Sequence, residues 1–242
     1  MKKNKNLMRL LIALAVLIVT TNVTKADKIL DLTTVDSFDT VNDAWFYWTD
    51  FESTSTGTGK IDPFMRIQNV GIEEGFNTDD YKFLLDIKDS HSITIDDIPL
   101  VSLDDGDYRE FLLDIQQANP TTLTIDKLQI YLAGTGDLRS LAGLNPIWQL
   151  DTETENNSIL MDAVLNPGNG KGDMFAYIPD SLFNSNIGNY VYLYAKISDG
   201  SSSFEEWAIR LSDNTTQVPV PGAFVLGMLG LMFAGKKLRK YA

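Results

Sequence analysis

The chain has 242 residues and no cysteine, with 33 Asp+Glu, 20 Lys+Arg and one His, and it is 44% hydrophobic. Without cysteine there is no disulfide framework and no thiolate for catalysis or metal binding, so stability must come from an ordinary core. Nine of the basic residues lie in 1–26 and 236–242, leaving 11 against all 33 acids in between, a net of −22; such a body repels phosphate backbones, and nucleic acid is not expected as a partner.

Residues 1–26 have the form of a secretory signal. Lys2, Lys3, Lys5 and Arg9 precede an apolar run over 10–19, and Thr24, Lys25 and Ala26 form a small-residue exit, with cleavage expected after Ala26. An uncleaved anchor would need about 20 apolar residues, roughly twice this run. The secretory translocon is therefore an expected partner, and the mature protein is expected outside the cytoplasm.

Residues 27–212 read as one extracellular all-β domain, long enough to bury on the order of 70% of its unfolded surface. Period-two apolar patterns separated by Gly, Asn, Asp and Pro predict strands over 44–51, 64–70, 81–87, 92–95, 99–103, 108–115, 122–132, 147–150, 158–161, 174–178, 190–197 and 207–211. In 122–132 one face holds Leu123, Ile125, Lys127, Gln129 and Tyr131 and the other Thr124, Leu128, Ile130 and Leu132, which predicts burial on both sides. In 190–197 three tyrosines share one face and Val191, Leu193 and Ala195 the other. Turn clusters at 104–107, 133–136, 166–170 and 198–201 supply positive-φ positions. Short helical turns are expected near 138–141 and 180–184. Strands at about ten-residue intervals favour a β-sandwich, jelly-roll or immunoglobulin-like, over a barrel.

Candidate sites follow the chain. Alternation in Ala44-Trp45-Phe46-Tyr47-Trp48 puts Trp45 and Tyr47 on one strand face and Phe46 and Trp48 on the other. If one face is core, Trp45 and Tyr47 form a ring surface for an extracellular glycan or a protein partner. Trp148 and Trp207 sit in apolar strand patterns and are expected in the core. His91 is the one histidine, and no Gly-x-Ser-x-Gly elbow accompanies it, which argues for a loop residue over a Ser-His-Asp hydrolase. Histidine-based zinc is excluded for want of ligands.

Glu73-Glu74 and Glu205-Glu206 are the carboxylate pairs most suited to glycoside hydrolysis, a minor alternative in a chain so rich in acids. Calcium is the one cation this pattern favours, with Asp104, Asp105 and Asp107 the densest oxygen cluster and 169–173 a second loop. Solvated turns account for the same acids. No other cofactor is expected.

After a polar linker at 213–217 comes a tripartite tail over 218–242. Val218, Pro219, Val220 and Pro221 precede an apolar span over 222–235, which ends in Lys236, Lys237, Arg239 and Lys240. Fourteen residues make about 21 Å of helix against a hydrocarbon core of about 30 Å. A short transmembrane helix is just possible, its basic end held cytoplasmic. Ala223, Gly227, Gly230 and Ala234 give this helix one small-residue face where another helix could approach closely. The tail resembles the PEP-CTERM class of bacterial sorting signals, with Val220 where the usual motif has glutamate, so it is similar to a Val-Pro-x-Pro variant.

The resemblance implies an exosortase-like processing enzyme as a partner and transient or permanent membrane attachment before display at the cell surface or release. The body is similar to an uncharacterised domain of such exported proteins in 57–64, Arg66-Ile67-Gln68, 111–115, 128–132, 172–175 and 204–208. No site residues come with that resemblance. The sequence thus predicts a non-enzymatic exported surface or biofilm-matrix protein, with a carbohydrate- or protein-binding adhesin module and, third, a secreted glycoside hydrolase as alternatives.

Overall fold

The computed structural model describes residues 26–51, 61–152, 154–168 and 170–211. The expected leader over 1–26, apart from Ala26, and the expected sorting tail over 218–242 lie outside the described residues. Among the described residues no helix is long and apolar enough to cross a membrane.

The described chain is mostly strand: β1 (Ala26–Leu32), β2 (Phe38–Val41), β3 (Ala44–Phe51), β4 (Ile61–Ile67), β5 (Val70–Phe76), β6 (Ile87–Ser90), β7 (Ile93–Thr94), β8 (Leu100–Leu103), β9 (Gly106–Ile115), β10 (Thr122–Ala133), β11 (Trp148–Gln149), β12 (Glu155–Asp162), β13 (Gly172–Pro179), β14 (Tyr190–Ser201) and β15 (Glu205–Arg210). Two sheets form a sandwich-like all-β fold. The first runs β1-β12-β10-β14-β5, with β11 on β10 and β7 on β14; the second runs β2-β3-β13-β9-β15-β4-β6, with β8 on β9. All pairings are antiparallel except β1 with β12, which run parallel from Ala26 opposite Glu155 to Leu32 opposite Met161.

The core lies where alternate residues of the two sheets meet. The second sheet contributes Phe46, Phe111, Leu113, Met174 and Trp207, and the first contributes Leu123, Ile125, Val191, Leu193 and Ile197. Trp148 and Trp207 are buried as expected. In β14, Val191, Leu193 and Ala195 enter this core while Tyr190, Tyr192 and Tyr194 face outward. There they meet Leu138, Leu141 and Leu144 from a loop that covers part of the outer face of the first sheet.

Three expectations are corrected. Strand β10 is buried on both sides only at its C-terminal end, where Tyr131 and Ala133 join the outer cluster; its register slips between Ile125 and Lys127, so Leu123 and Ile125 before the bulge, and Leu128, Ile130 and Leu132 after it, all reach the same core. One inserted residue reverses the face parity, which strict alternation cannot reveal. No strand forms over 81–87, where a 3-10 turn at Tyr81–Phe83 intervenes and strand resumes only at Ile87; the apolar Leu85 in that stretch is exposed. No helical turn forms over 138–141, whereas the one expected near 180–184 is a 3-10 turn at Asp180–Leu182.

Strands β1, β2 and β5 were not expected from pattern. All three are edge strands, and in β5 the pattern is inverted, with Val70 and Ile72 exposed and Glu73 buried. The β2–β3 hairpin turns on Asn42 and Asp43, both at positive φ (50° and 62°). This is the backbone of a tight two-residue hairpin, normally signalled by Asn-Gly.

Candidate functional site

The outer face of the second sheet is built by strand parity. In β3 the side chains of Phe46 and Trp48 enter the core, and Trp45 and Tyr47 point away from it, half-buried. Pairing places Trp45 beside Tyr177 and Tyr47 beside Phe175 on β13. The next strand sets Tyr177 opposite Glu110 and Phe175 opposite Leu112, and Leu112 lies opposite Ala208 of β15. Three rows result. The first holds Trp45, Tyr177, Glu110 and Arg210, the second Tyr47, Phe175, Leu112 and Ala208, and the third Asp173, Asp114, Glu206 and Arg66.

The first and third rows carry buried charge. Arg210 donates from Nε and Nη2 to the two carboxyl oxygens of Glu110. Burial nevertheless holds the Glu110 carboxyl above its ordinary range, with Arg210 opposing. Burial likewise raises the Tyr177 phenol, with the Glu110 carboxylate adding to it. In the third row Arg66 donates to Glu206 from Nε at 2.8 Å and from Nη2 at 2.5 Å, and Glu206 faces Asp114 across the strands. Burial pushes Asp114 up to about 7, with the Glu206 charge contributing and the N–H of Gly170 opposing.

At one end of this face opens a cleft of about 930 Å³. Its walls are the β2–β3 turn, the β8–β9 turn, the strand β11 segment and the 3-10 turn after β13. Asp43, Asp105, Asp107 and Asp180 line it together with Tyr108 and Trp148. One wall is stapled in place, since Asn42 Nδ2 donates to the carbonyls of Gln149 (2.9 Å) and Leu150 (3.0 Å). The indole of Trp148 returns a bond to the Asn42 carbonyl at 2.9 Å. Another wall is fixed by Arg109, which holds Asp180 at 2.6 Å and the carbonyls of Ile95 and Ile98 at 2.9 Å each. Ligand-ready clefts are largely pre-formed in this way.

Two groups of candidates that are distant in sequence come together here. Trp45 Nε1 donates to Asp105 Oδ2 at 3.3 Å, and the Tyr108 hydroxyl is bonded to the same two residues. The aromatic candidate Trp45 and the acidic candidate Asp105 thus share one rim, with Phe38 stacked on the Trp45 ring at 6.0 Å. Tyr47 stands one row further from the rim. Asp107 also lines the cleft and accepts from Ser102 Oγ at 2.6 Å, while Asp104 belongs to the same exposed turn. The three aspartates do not converge: among the described residues no group of three or more His, Cys, Asp or Glu is placed to hold a metal ion.

No protein-family model, curated protein or solved structure matches this chain. The chemistry of the cleft therefore rests on its own residues.

The remaining candidates lie apart. His91 follows β6, its Nε2 3.4 Å from Asp62 Oδ2, and that hydrogen bond raises its pKa against partial burial. The neighbouring Ser90 and Ser92 hydroxyls are engaged elsewhere, by the Thr78 N–H and by Asp79. Of the two sequence-adjacent glutamate pairs, one member of each is drawn into the interior: Glu73 and Glu205 are fully buried and lie within hydrogen-bond reach of each other. Sequence reading missed Glu110, Asp114 and Arg210, and placed Asp173 only at the end of the 169–173 loop. For Glu110 and Asp114 a faint signal was present, in two ionic residues on one face of the otherwise apolar Glu110-Phe111-Leu112-Leu113-Asp114. The sorting residues Val218, Pro219, Val220 and Pro221 and the basic Lys236, Lys237, Arg239 and Lys240 lie outside the described residues.

Proposed function

We propose that this is an exported, non-catalytic protein of the cell surface or extracellular matrix whose sandwich binds a neutral glycan at the end cleft. The observation that supports this most is the shared rim of Trp45, Asp105 and Tyr108 beside the cleft. A sugar presents hydroxyls that carboxylates accept from and a C–H face that rings cover, and both partners stand side by side here. The acidity of the body disfavours anionic glycans. The buried acids with raised pKa, Asp114 and Asp173 on the outer face and Glu73 and Glu205 between the sheets, do not line the cleft, which favours binding over hydrolysis.

Of the two sandwich types, the jelly-roll is favoured over the immunoglobulin-like, because β12, β13, β14 and β15 alternate between the sheets.

The test is a neutral-glycan array on the mature extracellular protein, followed by calorimetry. Asp105→Ala with Asp107→Ala is expected to weaken binding at least about tenfold, or about 1.4 kcal/mol, with the melting temperature little changed. Full binding by that variant, or no neutral glycan bound by the wild type, overturns the reading.

Delivery is proposed to run through both ends of the chain. Strand β1 begins at Ala26, so cleavage after Ala26 would leave it whole but for one residue. The 218–221 motif is proposed as the site read by an exosortase-like enzyme, with 222–235 as a short membrane helix and Lys236 to Lys240 as its cytoplasmic stop. Mass spectrometry of the extracellular protein is expected to find a first residue Asp27 and a last residue near Pro221; recovery of Lys236 to Ala242 in the extracellular form contradicts processing.

A further inference from the structure

Four carboxyls inside the domain are paired with one another rather than with cations. Glu73 on β5 of the first sheet meets Glu205 on β15 of the second, both fully buried. The Asn69 N–H donates to Glu73 Oε2 at 2.8 Å and Gln117 Nε2 donates to Glu205 Oε1. Glu73 Oε1 and Glu205 Oε2 have no donor among the described residues. The same pattern recurs on the outer face. Gly170 N–H donates to Asp114 Oδ2 at 2.6 Å and Ile115 N–H to Asp173 Oδ2 at 2.7 Å, while Asp114 Oδ1 and Asp173 Oδ1 have no donor among the described residues. In both pairs the carboxyls lie within hydrogen-bond reach of each other.

Two ionised carboxylates held so closely, out of water, repel each other and each leaves an oxygen unsatisfied. One proton removes both defects, because a protonated carboxyl becomes a donor to its neighbour. The charged groups around the pairs add to the demand. Asp86 faces Glu73, and Asp114 faces Glu205. Glu206 faces Asp114, itself held by Arg66. Lys171 acts in the other direction on Asp173.

We propose that each pair holds one proton as a clamp, so that the domain is tightest in mildly acidic surroundings and loosens where β5 meets β15 and where β9 meets β13 as the pairs ionise. Burial, the largest cause in each case, raises all four carboxyls: Asp114 to about 7, Asp173 well above its ordinary range, and Glu73 and Glu205 upward as one coupled site. A carboxyl raised in the folded state contributes stability that is complete below its unfolded value of about 4. That stability is lost as pH rises through the folded value, here through about 7 and beyond.

The test is the melting temperature of the mature protein from about pH 5 to about pH 9, where a fall is expected. Glu205→Gln and Asp173→Asn supply a permanent amide donor in place of the proton. Each is expected to flatten the profile and to raise the melting temperature at about pH 8 by at least about 3 °C. Asp96→Asn, which removes an exposed charge, controls for net charge and is expected to leave the slope unchanged. If a variant fails to fold, denaturant unfolding of the wild type at about pH 6.5 is expected to release about two protons. Variants that lower the melting temperature equally across the range with the slope intact, or no proton release, overturn the clamp. So does calcium raising the wild-type melting temperature at about pH 8 in a way that Asp173→Asn abolishes, which would mean that the outer pair holds a cation instead.

Discussion

Arg210→Ala is expected to destabilise the domain by about 3–5 kcal/mol, read as a lowered denaturant midpoint with an unchanged slope. Glu110 is fully buried and Arg210 nearly so, and both carboxyl oxygens of Glu110 accept from the guanidinium. The same guanidinium lies 5.1 Å from the centre of the Phe175 ring, so its removal also strips packing from the middle row. The direction of the Glu110 shift shows which effect wins. Its pKa is raised by burial even though Arg210 opposes, so desolvation outweighs the attraction, and the intact pair adds little net stability. The cost of the variant is then the penalty of stranding a carboxylate.

Two further results follow from that argument. The deficit of Arg210→Ala should shrink toward about pH 5, where the stranded Glu110 takes up a proton. The double replacement Glu110→Leu with Arg210→Met should stay within about 2 kcal/mol of the wild type, since apolar residues of similar volume substitute well for a buried pair. A single variant costing under about 1 kcal/mol would mean that water reaches this part of the face.

Trp207→Ala is expected to cost about 3–5 kcal/mol. The indole is fully buried on β15, opposite Leu113 on β9 and Met65 on β4, so truncation opens a cavity between three strands of the second sheet. Trp207→Phe should cost less than half as much, because its ring leaves less void than alanine does. Both variants remove an indole N–H that meets no acceptor among the described residues, a group whose burial is itself unfavourable. Equal losses for the two variants in denaturant titrations would overturn the cavity account.

Much of the sandwich was legible in the sequence because burial on one face imposes alternation. Val191, Leu193 and Ala195 against Tyr190, Tyr192 and Tyr194 is the plain case. Alternation fails where local geometry changes its phase, as at the β10 bulge, and where a strand lies at an edge, as in β5 with exposed Val70 and Ile72. It also misled at Leu84 and Leu85, which look like strand residues but follow a 3-10 turn.

The candidate site was legible only in parts. Trp45 and Tyr47 could be placed on a shared face, and Asp105 and Asp107 in a turn, yet nothing local says that residue 45 touches residue 105. That contact depends on β8 and β9 joining the sheet that contains β3, a matter of long-range pairing. The pairing of the buried acids escaped notice for a related reason. Asp114 is unremarkable in sequence until Asp173, 59 positions later, is brought against it.

The parallel seat of β1 against β12 sets the order in which this polypeptide can finish folding. Strand β1 leaves the ribosome early, but its partner spans Glu155–Asp162, and closing so long a loop is slow. During synthesis the first strand stays unsatisfied until more than half the protein has been made. Under the export route proposed above, in which the chain would thread a narrow channel as an extended polymer, that delay would keep the sheet from closing before passage is well under way.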